Sequence, residues 1–159
     1  MLTRRVPARP LLGMHPAIIL AVLDTIGLIV AGYLTVVELS GGLPTCGPIK
    51  GCEEVALSEY AHIGPIPVAV FGVVLSVALL ALALAWWKTD IYGLLLAHYG
   101  LSLVGVLFDG YFLYLQVFVI QAICIWCVIY EVSLLARFLV ALLVWYRQPP
   151  PAAAPTDDG

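Results

Sequence analysis

Residues 63–87 read IGPIPVAVFGVVLSVALLALALAWW and contain no charged side chain. A helix needs about 20 mostly apolar residues to cross the hydrocarbon core of a bilayer, so this stretch predicts a transmembrane helix. The whole chain has the same character, since 63% of its 159 residues are hydrophobic and 11% are charged. Soluble domains contain about 25% charged residues. We therefore expect a single-domain integral membrane protein.

Three further apolar stretches are long enough to span a membrane. The first runs from about His15 to Glu38, the third begins near Ile91, and the fourth ends near Arg147. A turn at Asp109-Gly110 would leave a last helix of about 54 Å, against a hydrocarbon core of about 30 Å. A break near Gln116 to Gln121, with both glutamines at the membrane interface, is predicted instead. The expected fold is an all-α, four-helix transmembrane bundle.

The basic residues predict the orientation, because Lys and Arg are enriched in cytoplasmic flanks. The side that holds both termini carries Arg4, Arg5, Arg9, Lys88 and Arg147, whereas the other side carries Lys50. We expect a multi-pass cell (inner) membrane protein with cytoplasmic termini and an extracytoplasmic active site. Arg137 is expected to snorkel to the basic side.

Both ends of the chain lie outside the expected bundle. Residues 1–14 are predicted to be a cytoplasmic segment, residues 15–147 the membrane domain, and residues 148–159 a disordered cytoplasmic tail. The N-terminal arginines resemble the start of a signal peptide, but the apolar stretch is longer than usual, so retention is expected. The scattered basic residues argue against nucleic-acid binding.

Four cysteines form two pairs near the outer face. Cys46 and Cys52 lie in a Gly/Pro-rich loop between helices 1 and 2, which we expect to be mobile and irregular. Cys124 and Cys127 form a Cys-Ile-Trp-Cys motif near the start of helix 4. Positions three apart share a helix face, and the free amides of a helix N-terminus favour a thiolate. The two pairs indicate electron transfer from the aqueous side to an acceptor in lipid.

Other interpretations of these cysteines stay open. Cys46 and Cys52 are compatible with a static loop disulfide, and Cys124 and Cys127 with two small buried hydrophobes. Sequence alone does not choose among the three possible pairings. A Cys₄ zinc site would hold all four sulfurs as thiolates, and we expect no metal site.

Four short motifs occur in a defined order: Cys46-x5-Cys52, Ser58-Glu59-Tyr60, Ile66-Pro67 and, two helices later, Cys124-x-x-Cys127. Together they resemble the vitamin K epoxide reductase family, and in particular a prokaryotic single-domain homologue, over about residues 15 to 146. The resemblance implies a four-helix bundle around a quinone, capped by the dithiol loop. Relatives usually have Gly-Ile-Pro before helix 2, whereas this chain has Pro65 in place of that glycine, which bears on loop geometry alone.

The resemblance also implies a role for each cysteine. Cys46 would exchange with a separate thioredoxin-like (DsbA-type) partner, Cys52 would attack Cys124, and Cys127 would face the quinone. The quinone would be ubiquinone, menaquinone or vitamin K. The implied function is that of a membrane thiol:quinone oxidoreductase that supports disulfide-bond formation.

Several residues near the cysteines are candidates for the quinone pocket. By the resemblance, Ser58 would lie near the quinone head group; otherwise it is a helix N-cap or an exposed loop residue. Phe71, Phe112 and Trp126 are expected to line the pocket, although such aromatics also serve ordinary packing or an interfacial belt.

Acidic residues within membrane spans are functional candidates by default, and Asp24, Asp109 and Glu131 qualify. Glu131 shares the helix face of the second motif cysteine and would bind the quinone and handle a proton. Otherwise it would be buried neutral, or paired with His98 or Arg137. Asp109 is expected near the membrane interface in a solvated role.

Competing functions follow from the same residues. The reaction could run in the reductive sense, as a vitamin K epoxide or quinone reductase. A DsbB-type oxidase is disfavoured because its Cys-x-x-Cys precedes the wider pair, the reverse of the order here. From other classes, the chain could be a small proton-coupled transporter or a non-enzymatic assembly subunit with structural cysteines.

Overall fold

The structure of the chain, a computed structural model, describes residues 5, 10, 11, 13–47 and 51–147. Its elements follow in the order α1 (Pro16–Leu39), α2 (Gly51–Ala56), β1 (His62–Ile63), β2 (Ile66–Pro67), α3 (Val68–Thr89), α4 (Tyr92–Tyr114), a π-helical turn (Leu115–Ile120) and α5 (Ile125–Arg147). Four helical segments, α1, α3, α4 with its π-helical turn, and α5, are long and apolar enough to cross a membrane. The predicted all-α membrane bundle is confirmed. The tail 148–159 lies outside the described residues.

Short connections make neighbouring helices antiparallel. Asp90 ends α3 in the left-handed conformation at φ 53°, and α4 begins at Tyr92. The β1–β2 hairpin before α3 turns at Gly64, whose φ of +63° favours glycine. The second span therefore begins as a hairpin and becomes helical only at Val68.

The break between α4 and α5 is built around Gln116. After the π-helical turn, Gln121 adopts a left-handed φ of 58°, and α5 begins at Ile125. The predicted break was correct to within a few residues. Its glutamines were expected at the membrane interface, but Gln116 is 1% exposed. The Gln116 side chain accepts a hydrogen bond from the Cys124 amide (2.9 Å) and donates one to Glu131 (3.0 Å).

A buried ionic cluster joins three of the helices. The Asp24 carboxylate of α1 lies 3.4 Å from Arg137 Nη1 of α5 and 3.2 Å from His98 Nε2 of α4. The guanidinium also donates to the Ser133 carbonyl and hydroxyl (3.1 Å each) and to the Ser76 hydroxyl (3.4 Å). Arg137 is 0% exposed, so the prediction that it snorkels was wrong. Its partners inside the bundle supply the counter-charge and the hydrogen bonds that it would otherwise find at the membrane interface.

Apolar clusters lie on both sides of this ionic cluster. Toward the α3–α4 turn, Trp86 packs with Leu20 and Leu95. Toward the opposite end, which carries the cysteines, Leu79 and Leu134 pack with other apolar residues of α1, α3 and α5. The charged groups are therefore separated from both ends of the bundle by packed hydrocarbon.

Replacing Asp24 by alanine should lower the free energy of unfolding by about 3–5 kcal/mol, because it leaves the Arg137 charge buried without its carboxylate. Thr25→Ala, at an exposed neighbouring position, is the matched control and should change stability by less than about 0.5 kcal/mol. Denaturant titration of the purified protein in detergent measures both. An Asp24→Ala loss no larger than that of Thr25→Ala would contradict this role.

Candidate active site

Both cysteine pairs lie at the same end of the bundle. Cys46 and Cys52 form a disulfide with their Cα atoms 5.7 Å apart. Cys124 and Cys127, both in the described part of the chain, are free thiols. Cys52 and Cys124 are 0% and 1% exposed, and both line the same cavity as Cys127. The loop pair and the motif pair are therefore not separated by the thickness of the bundle.

Residues 51–56 of the cysteine loop are more ordered than its composition predicts. Cys52 lies in the short helix α2, so the expectation of an irregular loop was wrong at this position. Gly51 begins that helix so close to the backbone of Ile123 that a Cβ atom would collide with it. This close approach brings Cys52 to the cavity. Cys46 lies in an irregular segment and is half-buried, so it is the more accessible of the two.

The motif pair forms the N-terminus of α5. Cys124 immediately precedes the helix, and its Sγ accepts a hydrogen bond from the Cys127 amide at 3.3 Å. The side-chain hydrogen bond from Cys127 lowers the pKa of the Cys124 thiol, and backbone amides act in the same direction against the effect of burial. The expected thiolate-favouring helix start is thus present, with Cys124 as the residue that gains from it.

Removing the Cys127 thiol should raise the pKa of Cys124, because the thiolate loses the hydrogen bond that stabilises it. The titration is followed by the ultraviolet absorbance of the thiolate, in a background where Cys46 and Cys52 are serine. The first ionisation should move to higher pH with Cys127→Ala and move less with Cys127→Ser, which keeps a hydroxyl donor. Equal ionisation in both variants and the parent would contradict the assignment.

A cavity of about 300 Å³ lies between the helices and is lined at one end by the cysteines. This volume is at the small end of the range for small-molecule sites. Its wall is mostly apolar and includes Ala31, Leu34, Phe71, Leu75, Val104, Phe108 and Phe112. Polar groups interrupt it at Glu38, Asp109, Gln116, Tyr130 and Glu131. A flat, largely apolar molecule with two oxygen acceptors, such as a quinone head group, fits this combination.

The structure places the sequence-predicted pocket residues in two groups. Phe71, Phe112 and Glu131 lie in the cavity wall, whereas Ser58 and Trp126 lie outside it. Ser58 follows α2, and its hydroxyl donates to the Val55 carbonyl in the last turn of that helix at 2.7 Å, so it is not an N-cap.

Trp126 instead holds the cysteine loop. Its indole N–H donates to the Thr45 carbonyl at 3.1 Å, and its ring packs on Tyr33 at 4.8 Å between centroids. Thr45 precedes Cys46, so this hydrogen bond ties the loop disulfide to the start of α5.

Replacing Trp126 by phenylalanine should raise amide hydrogen exchange in residues 41–46 about fivefold, because one net hydrogen bond contributes about 1 kcal/mol. Exchange is carried out on the folded protein in detergent and is measured by mass spectrometry of the peptides that contain the loop. Trp87→Phe, at an exposed position near the opposite end, is the matched control. Unchanged exchange in the loop of the Trp126 variant would show that the contact does not restrain it.

The acidic residues are arranged differently from the prediction. Asp109 was expected in a solvated role near the interface, but it lines the cavity. Its Oδ2 is buried and has no hydrogen-bond partner among the described residues. His98 or Arg137 was considered as a partner for Glu131, but Glu131 accepts a hydrogen bond from Gln116 instead. The sequence contained one indication that Asp109 lies near the polar groups of the break: Asp109 and Gln116 are seven residues apart and so share one helix face.

A loop disulfide and a buried dithiol at the head of an apolar cavity define a membrane protein suited to thiol–disulfide chemistry beside an apolar ligand. A family model, that of the vitamin K epoxide reductase family, matches residues 18–142, which is most of the chain. The chain belongs to the vitamin K epoxide reductase family. It is therefore a multi-pass membrane oxidoreductase of a quinone-linked family. No curated protein matches the sequence.

Proposed function

We propose that this protein is a thiol:quinone oxidoreductase that reoxidises a separate thioredoxin-like partner and thereby supports disulfide-bond formation. The observation that carries the proposal is that Cys52, Cys124 and Cys127 line one apolar cavity. A static loop disulfide would not need a buried dithiol beside it. An assembly subunit would need neither the free thiols nor the cavity.

Electrons enter at Cys46, the half-buried member of the loop disulfide. A thiolate of the reduced partner attacks Cys46 and releases Cys52, and the partner's second thiol then resolves the mixed disulfide. Cys52 attacks Cys124 of an oxidised motif and breaks the Cys124–Cys127 bond. Cys46 closes the loop disulfide again and leaves two thiols in the motif, so two electrons have moved inward.

The structure has the loop pair bonded and the motif pair reduced, which is the pairing expected at the end of this relay. The family's quinone supplies the oxidising power when bound, and the protein supplies position and exclusion of water. Cys127 lies in the cavity wall, where its sulfur would face the acceptor. Oxidases of the DsbA type have potentials of about −120 mV, and the bacterial periplasm is kept oxidising through quinones.

The cysteine end is proposed to face the extracytoplasmic side of the cell membrane, with both termini in the cytoplasm. Lys88 and Arg147 lie in the last turns of α3 and α5, at the end away from the cysteines. Such residues are enriched on the cytoplasmic side. The opposite compartment is the oxidising one, where a loop disulfide persists.

Purified protein mixed with a reduced thioredoxin-like oxidase and a water-soluble quinone analogue should consume quinone, measured by its absorbance. Replacing any one of the four cysteines by serine should lower the rate at least about 100-fold, since each is a step of a single relay. A proton-coupled transporter would instead retain transport without Cys127. Quinone consumption that survives these substitutions would exclude the relay.

The contact between the two pairs is tested by trapping. In the Cys46→Ser/Cys127→Ser variant, Cys52 and Cys124 should form a disulfide, detected by mass spectrometry. The matched control, Cys52→Ser/Cys127→Ser, leaves Cys46 with Cys124 and should remain mostly unbonded. Equal trapping in the two variants would mean that the loop has no defined register against the motif.

A further inference from the structure

Reduction of a quinone by a dithiol moves two protons as well as two electrons. The two carbonyl oxygens lie at opposite ends of the ring, and each must receive one proton. The thiols themselves can donate a proton to the oxygen nearer the Cys-x-x-Cys motif. The far oxygen, deeper in the bundle, needs a donor in the apolar part of the wall.

The polar groups of the cavity wall differ in whether they already have hydrogen-bond partners. Gln116 bonds both the Cys124 amide and Glu131, and the Tyr130 hydroxyl donates to the Gly72 carbonyl at 3.1 Å. Asp109 Oδ2 is buried and has no partner among the described residues. Glu38 Oε2 shares that property, but it lies in the last turn of α1 at the cysteine end.

The position of Asp109 along the bundle suits the far oxygen. Glu131 is one helical turn, about 6 Å, below Cys127 on α5. Asp109 is seven residues before Gln116 on α4, and Glu131 is seven residues after Cys124 on the antiparallel α5. Because Gln116 bonds the Cys124 amide, the two carboxyl groups lie at about the same depth. Cys127, Glu131 and Asp109 all line the cavity, and both carboxyl groups lie deeper in the bundle than the thiol, on two different helices.

The chemistry of Asp109 suits a proton donor. Burying an unpaired carboxylate in apolar surroundings costs far more free energy than burying the neutral acid. The protonated form is thus the one that fits this wall, and it carries the proton that the far oxygen needs. Arg137 already has the Asp24 carboxylate as its partner at 3.4 Å.

The geometry points to Asp109 as a catalytic proton donor to the inner carbonyl oxygen of the quinone, an assignment that rests on the proposed function. The two thiol S–H bonds of Cys124 and Cys127 break, the S–S bond forms, and two electrons pass to the quinone. One thiol proton goes to the near oxygen and the Asp109 proton to the far oxygen. The second thiol proton returns to Asp109 through Glu131, so the carboxyl is unchanged over the cycle.

The test is single-turnover quinone reduction by the full chain in lipid nanodiscs, with the motif pair reduced beforehand. Asp109→Asn keeps the shape and removes the transferable proton, and it should slow reduction about 100-fold, as expected for loss of a general acid. Its dissociation constant for the quinone analogue, and its rate of loop-disulfide reduction by a small dithiol, should stay within about twofold of the parent. Asp109→Glu should restore most of the rate.

Two further variants separate a chemical role from a structural one. Asp90→Asn, at the α3–α4 turn away from the cavity, is the matched control and should reduce quinone at the parent rate. Asp109→Ala opens space in the wall, and added formic acid should restore part of its lost rate, which a purely structural role would not allow.

The outcomes distinguish this inference from the proposed function. An unmodified chain that does not reduce quinone through its cysteines overturns both. A parent that reduces quinone while Asp109→Asn is equally fast overturns the donor alone. The donor is also overturned if Asp109→Asn loses quinone binding and thermal stability together with the rate, since the residue would then be structural.

Discussion

The ion pair between Asp24 and Arg137 is the constraint on which the arrangement of the helices depends. Both side chains are 0% exposed, and a buried charge without its partner is strongly destabilising. The pair fixes the rotation of α1 against α5. Gly27 completes the fit, because a Cβ atom there would collide with the guanidinium. Helices that are apolar on all sides carry little rotational information of their own, so a charged contact of this kind defines one packing among many.

Gln116 fixes the local structure at the cysteine end of the bundle. Lipid offers no hydrogen bonds to a backbone that leaves its helix, and the side chain of Gln116 satisfies the amide of Cys124 instead. The same side chain holds the Glu131 carboxylate. The break between α4 and α5, the position of the motif and the polar wall of the cavity therefore depend on one glutamine.

The spans and the two cysteine motifs could be predicted from sequence because they depend on local properties. The length of an apolar stretch predicts a membrane-spanning helix, and the spacing of two cysteines predicts a dithiol. The environments of Arg137 and Asp109 could not be predicted, because they depend on which faces meet across the bundle. Arg137 was expected to reach the basic side of the membrane, but its partner, Asp24, lies on another helix, α1. Trp126 was predicted to line the pocket, but sequence does not indicate which way a side chain between two cysteines points. Its contact with the cysteine loop depends on where the loop lies.

The ionic cluster and the cavity are physically connected, although they lie at different depths. Arg137 lies over the Tyr130 ring at 5.4 Å, and the Tyr130 hydroxyl donates to the Gly72 carbonyl on α3. A Cβ atom at Gly72 would lie 3.2 Å from the Ala31 side chain of α1, so α1 and α3 approach closely there. Tyr130, Gly72 and Ala31 all line the cavity. The ion pair is thus linked to the inner cavity wall through Tyr130, which contacts the guanidinium and lines the cavity.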